Sequence, residues 1–181
     1  MPLAPKLKPS FIEFIRSQPM FFVATAAPEG RVNVSPKGLD SLKVVDEGRL
    51  VWINLSGSGN ETAGHLRLSN RMTLMFCAFE GDAKILRVYG TAKTVHPHDP
   101  DWAEAAGQFP DYAGARQVFD MTVEGVQISC GSGVPVMEYQ GQRGPDELVP
   151  FYDDMGPDGV KDYWRRKNLQ TIDGYPTGTD G

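Results

Sequence analysis

Between Gln117 and Cys130 the apolar residues change parity part-way along, and this limits the architectures open to the chain. Phe119, Met121 and Val123 share one parity; Val126, Ile128 and Cys130 share the other. Successive strand residues face opposite sides, so an uninterrupted strand would turn half of these side chains to solvent. One inserted residue restores a common face, and Gly125 stands at the flip, as a β-bulge requires. A long bulged strand bends, and such a bend curls a sheet toward a barrel.

The preceding segments fit a mainly β fold with short links. Phe21, Phe22, Val23 and Thr25 are strand formers, Pro28-Glu29-Gly30 is a turn, and a second short strand runs from Arg31 to Lys37. A second hairpin joins Leu42–Val45 to Leu50–Leu55 through Asp46-Glu47-Gly48. Links this short imply antiparallel pairing. Met72–Phe79 and Lys84–Val95 form two longer strands around Glu80-Gly81-Asp82, the latter apolar on both faces, one for the core and one for an interface.

Helices are peripheral. Ser10-Phe11-Ile12-Glu13 has the capping-box pattern, and the helix it opens stops at Gln18-Pro19. Asn60 is placed to cap a helix over Glu61–Leu68, and a small one is expected over Pro100–Ala106. After Gly131 the composition shifts toward Gly, Pro and charge, leaving a helix over Asp158–Asn168 and a loop tail. The expected organisation is one domain, 1–181, with a barrel core at about 17–131 and an extension at 132–181.

Composition narrows the partners. Eighteen Lys and Arg against 23 Asp and Glu give a formal net charge of -5, which argues against a nucleic-acid footprint. The longest mostly apolar run, Met20–Ala27, falls short of the roughly 20 residues of a membrane span, so no membrane partner is expected. Cys77 and Cys130 lack any CxxC partner and read as buried thiols of a reducing, cytoplasmic compartment. The expected ligand is a small molecule.

Ser56-Gly57-Ser58-Gly59-Asn60 is the Gly-rich loop, but no Lys follows at P-loop spacing and Thr62 stands where a dinucleotide fingerprint needs Gly or Ala. What remains is local: backbone N–H groups at a helix start, with the hydroxyls of Ser58 and Thr62, suit a phosphate monoester. A simple capped turn, with Glu61 in its first helical turn, explains the same residues. Lys37 ends a strand before Gly38; such a Lys is either solvated or, over an isoalloxazine edge, stabilises charge on reduced flavin. His96-Pro97-His98-Asp99-Pro100-Asp101 holds metal-ligand types, but its two prolines make it a turn, and no metal is expected. No nucleophile triad can be assembled, so no catalytic residue is assigned.

Phe21-Phe22-Val23-Ala24-Thr25, Asn33-Val34-Ser35-Pro36-Lys37-Gly38, Gly57-Ser58-Gly59-Asn60-Glu61-Thr62, Met72-Thr73-Leu74-Met75-Phe76 and Ile85-Leu86-Arg87-Val88-Tyr89-Gly90 follow one another in an order that resembles the pyridoxamine 5'-phosphate oxidase-like flavoproteins. The resemblance spans Ser17–Val95 and continues more weakly beyond it. It implies a six-stranded antiparallel split β-barrel and a homodimer with FMN in the groove between subunits. It also implies hydride transfer through flavin N5 to or from a small substrate or a nicotinamide. By residue, it places Ser35, Pro36 and Lys37 against the isoalloxazine ring, with Asn33 and Val34 beside them as cofactor-binding residues, Ile53 and Asn54 against flavin or ribityl, and Asn60, Glu61 and Thr62 at the phosphate. Lys84 and Arg87 approach from neighbouring strands.

Departures temper the activity. The vitamin-forming oxidase carries an Arg-Lys pair where this chain has Glu61-Thr62, and a Gln where it has Ile85. That enzyme's C-terminal phosphate grip is not visible after residue 131, which argues against pyridoxine-phosphate oxidation. Trp164 and Arg165 can supply a stacking ring and a cation to cofactor or partner; the alternative is Trp164 docked on the barrel with the basic helix end solvated. A non-catalytic flavin- or haem-binding module and a deazaflavin-dependent reductase remain as other functions of the same fold.

Overall fold

The computed structural model describes residues 3–179. Seven strands form one antiparallel sheet: β1 (Phe21–Thr25), β2 (Asn33–Lys37), β3 (Leu42–Asp46), β4 (Arg49–Leu55), β5 (Arg71–Cys77), β6 (Lys84–Val95) and β7 (Ala115–Cys130), in the order β2-β1-β5-β6-β7-β4-β3. The mainly β architecture and both early hairpins are as the sequence implies. Six strands in a barrel are corrected to seven in a sheet whose hydrogen-bond ladder does not close, because β3 adds an outer strand beyond β4.

The sheet is nevertheless strongly rolled. Phe21 of β1 meets Trp52 of β4 edge-on at 6.1 Å although three strands, β5, β6 and β7, separate them in the ladder, and Trp52 stacks on Phe119 at 4.4 Å. Val23, Leu50, Leu74, Leu86, Val88 and Met121 complete the interior from alternating positions. β4 is buried on its other face too, where Val51, Ile53 and Val118 pack with Phe109 beside α3 (Trp102–Ala106).

The roll depends on the expected bulge. Tyr89 pairs with Gly125 and Gly90 with Val123, so Glu124 is the inserted residue, one position from the parity flip. Gly90 has no alternative here: a Cβ would stand 1.9 Å from the Thr122 carbonyl oxygen.

Four local expectations are corrected. Helix α1 (Pro9–Ser17) begins at Pro9, whose fixed φ and missing N–H suit a first turn, so Ser10 lies inside it and no side chain caps it. Asn60 precedes α2 (Glu61–Leu68) as expected, but its amide makes tertiary contacts instead of capping. The last helix, α4 (Val149–Lys167), is broken at Gly156, φ 67, before Pro157: its second part is the helix expected from Asp158, and an unanticipated part, 149–155, precedes it. Cys77 is buried but Cys130 is exposed, since it ends a strand that runs past the core. The tail is a loop as expected, and a packed one: Asn168, Thr171, Thr177 and Thr179 are buried in it.

Candidate cofactor site

The split in the sheet is the site. β2 and β4 both approach the gap, and Asn33, Ser35, Pro36 and Lys37 from one, with Ile53 and Asn54 from the other, line a cavity of about 320 Å³. Asn60, Glu61 and Thr62 at the start of α2 line its far end. Val34 has the opposite parity to its neighbours and points outward, 60% exposed.

The remaining expected residues lie away from this cavity's walls. Ser58 is exposed on the loop. Lys84 reaches Asp82, and Arg87 donates to Ser129 Oγ at 3.0 Å. Trp164 is buried among Tyr152 and Val160, its indole N–H donating to Ser56 Oγ at 2.6 Å, so it docks α4 beneath the Gly-rich loop. Arg165 points outward and pairs with Asp162 at 2.6 Å. One turn of helix cannot present both residues to the same surface, which is why the docked ring leaves its neighbouring cation solvated. The rings of His96 and His98 stack at 5.2 Å in the turn expected there.

Arg116, at the head of β7, is the residue that motif spacing did not reveal. It is 2% exposed. Its Nε donates to Gln117 Oε1 and its Nη2 to the Gly59 carbonyl, each at 3.0 Å, while the buried Nη1 has no protein partner. Burial lowers its pKa to about 10, so it stays charged at neutral pH. The signal was an Arg-Gln pair opening the longest strand of the chain directly before Val118 and Phe119, since a charge is placed in a core only where something compensates it.

Lys37 is the second cation. Its ammonium lies 5.4 Å from the Trp52 ring centroid and donates to Asn54 Oδ1 at 3.2 Å. Desolvation foremost, then the charge of Arg116, lowers its pKa to about 8. Among the described residues no carboxylate pairs with Lys37 or Arg116. Glu61 makes no ion pair with them either; its carboxylate is turned to the Ile172 N–H, at 3.1 and 3.2 Å. The pocket therefore offers two cations without an ion-pair partner among the described residues, a helix start and the Thr62 hydroxyl, a set suited to an elongated anionic ligand.

The segment after β7 closes two walls. Leu148 lines the cavity, and Gln142 clamps the β2–β3 turn by accepting from Leu39 N–H at 3.2 Å and donating to the Pro19 carbonyl at 2.7 Å. Gly38 is needed under that clamp, where a Cβ would come 2.6 Å from Gln142 Oε1. Leu39 accepts a left-handed φ of 61 to complete the turn.

The sequence profile described as pyridoxamine 5'-phosphate oxidase matches residues 7–130, all seven strands included. The chain belongs to the pyridoxamine 5'-phosphate oxidase family. Within it, the chain is 33% identical over 175 residues to the family protein ustO of Aspergillus flavus, covering 88% of this chain and 70% of that one. Among solved structures, a candidate pyridoxamine 5'-phosphate oxidase from Lactobacillus delbrueckii is similar with TM-score 0.55 and 18% identity, over 70% of this chain and 99% of that one. HutZ, the heme storage protein of Vibrio cholerae, is similar with TM-score 0.50 and 17% identity, over 69% of this chain and 94% of its own. These structural likenesses establish the family fold.

Proposed function

We propose that this member of the family is an FMN-binding oxidoreductase that works as a homodimer with the cofactor at the subunit interface. The observation that carries it is Arg116: a buried guanidinium with one unpartnered Nη1, facing a cavity at the start of α2, is a phosphate anchor. It supplies the cation that the Glu61-Thr62 departure had removed from the phosphate loop. Arg116, Asn60 and Thr62 would hold the phosphate, Ile53 and Asn54 the ribityl region, and Ser35 to Lys37 the ring.

Bound FMN supplies two-electron hydride chemistry at N5. The chain binds and orients the cofactor, and Lys37 places positive charge where the ring reaches, favouring its reduced anionic form. The other electron carrier is a small organic substrate or a nicotinamide. Two free cysteines and the absence, among the described residues, of a helix long and apolar enough to cross a membrane fit a cytoplasmic setting.

Haem storage is the competing function, given the likeness to HutZ. The cavity wall holds no His, Cys, Met or Tyr among the described residues, so this chain lines it with no axial iron ligand, whereas both cations suit an anionic flavin. Purified protein should carry flavin identifiable by absorbance and mass, or take up FMN with quenching of its fluorescence. Protein that retains no flavin and regains none on adding FMN overturns the proposal.

A further inference from the structure

We propose that Thr179 is a positioning residue of this pocket, through which the C-terminal strap, residues 168–179, sets the orientation of the Arg116 guanidinium. The inference rests on the flavin-site reading for its ligand but not for its geometry. It follows from donor and acceptor bookkeeping. Lysine and arginine side chains only donate, so the amide oxygens of their partners must face them. Lys37 thus fixes Asn54 Oδ1 toward itself at 3.2 Å and turns Asn54 Nδ2 to Gln117 Oε1 at 3.0 Å. Arg116 Nε donates to the same Gln117 oxygen.

With its oxygen committed to two donors, the fully buried Gln117 needs an acceptor for its NH2 group. Thr179 Oγ1 provides it at 2.8 Å, and at the same distance accepts from Asn60 Nδ2 in the phosphate loop. Without that hydroxyl the buried Gln117 NH2 has no acceptor, and the amide that receives Arg116 Nε is held from its oxygen side alone. One oxygen in the strap therefore ties the phosphate loop to Arg116 and, one amide further, to Lys37.

The strap is built to hold this oxygen. Thr177 Oγ1 donates to the Asn168 carbonyl at 2.6 Å, and Thr177 N–H reaches the Leu169 carbonyl at 3.0 Å. Asp173 accepts from Arg31 N–H at 2.7 Å and pairs with the Arg31 guanidinium, pinning the strap to the β1–β2 turn. Gly64 lets it lie flat on α2, where a Cβ would stand 2.2 Å from Thr171 Cγ2.

Thr179→Val removes the acceptor at nearly constant volume, and Thr179→Ser keeps it. The valine variant should lose about tenfold in FMN affinity and clearly less for riboflavin, which lacks the phosphate; serine should restore the wild-type ratio. A merely structural role would weaken both flavins equally, and that result overturns the proposal. In the ligand-free protein, solvent exchange of the Arg116 Nε–H followed by NMR should be faster in the valine variant than in wild type or serine. Unchanged exchange also overturns it. Wild-type protein that binds neither flavin refutes the flavin reading instead, and the exchange comparison still decides the positioning.

Discussion

Under the proposed flavin binding, the pocket has a phosphate end and a ring end, and the two are built on opposite principles. At the phosphate end Arg116 is buried on two fixed acceptors and holds its charge, with a pKa of about 10. At the ring end Lys37 has a single hydrogen-bond acceptor and an aromatic face, and loses its proton near pH 8. An anchor needs constancy; a group that tunes a redox ring can be adjustable. On the flavin proposal the contrast teaches that affinity can be altered at Arg116 without altering reactivity, whereas Lys37 would contribute to both.

The largest effect should come from the anchor. Arg116→Gln removes the fixed charge and the free Nη1, and FMN affinity measured by fluorescence titration should fall about 100-fold, the scale of one lost charge-assisted hydrogen bond. Riboflavin affinity should change little. Equal losses for both flavins would break the division between the two ends.

The ring end should reveal itself by pH. Folded Lys37 releases its proton near pH 8, whereas an unfolded lysine keeps it to about 10.5, so the ligand-free protein gains stability from this site as pH rises between those values. Affinity for an anionic flavin should move the opposite way, falling above pH 8 and levelling off about tenfold lower once Lys37 is neutral. Both slopes are read as differences from Lys37→Ala, which should lack them. At neutral pH that variant should bind FMN about tenfold more weakly and lower the bound flavin's reduction potential, since the cation favouring the reduced ring is gone. An unchanged potential would make Lys37 a binding residue only.

Local pattern made much of the ring end legible and less of the phosphate end, for a physical reason. β2 carries Asn33, Ser35 and Lys37 on alternate positions, and α2 begins where Asn60 and the Gly-rich loop say it must. The parity flip near Gly125 likewise announced the bulge, because one inserted residue leaves a signature in the same strand that bears it. Arg116, Gln117 and Thr179 left no such trace. Their partners lie 57 and 62 residues away, at Gly59 and Thr179 respectively, and no local period encodes a contact at that separation. Trp164 was readable as a docking ring, but not its acceptor Ser56, 108 residues earlier. The seventh strand was legible in the sequence pattern even where the family likeness implied six, since Leu42–Asp46 carries its own turn.

The smallest effect tests the ground between the two ends. Thr62 is buried at the start of α2, where its Oγ1 accepts weakly from Asn33 Nδ2 at 3.5 Å and its own proton is left to donate into the cavity. A neutral hydroxyl donating to phosphate is worth about 1 kcal/mol, so Thr62→Ala should weaken FMN about fivefold, and Thr62→Ser should not. The hydroxyl shares the phosphate with Arg116 if both variants together lose more or less than the product of their separate losses. Strictly multiplicative losses would put Thr62 on a different part of the ligand and move the boundary between anchor and ring end toward β2.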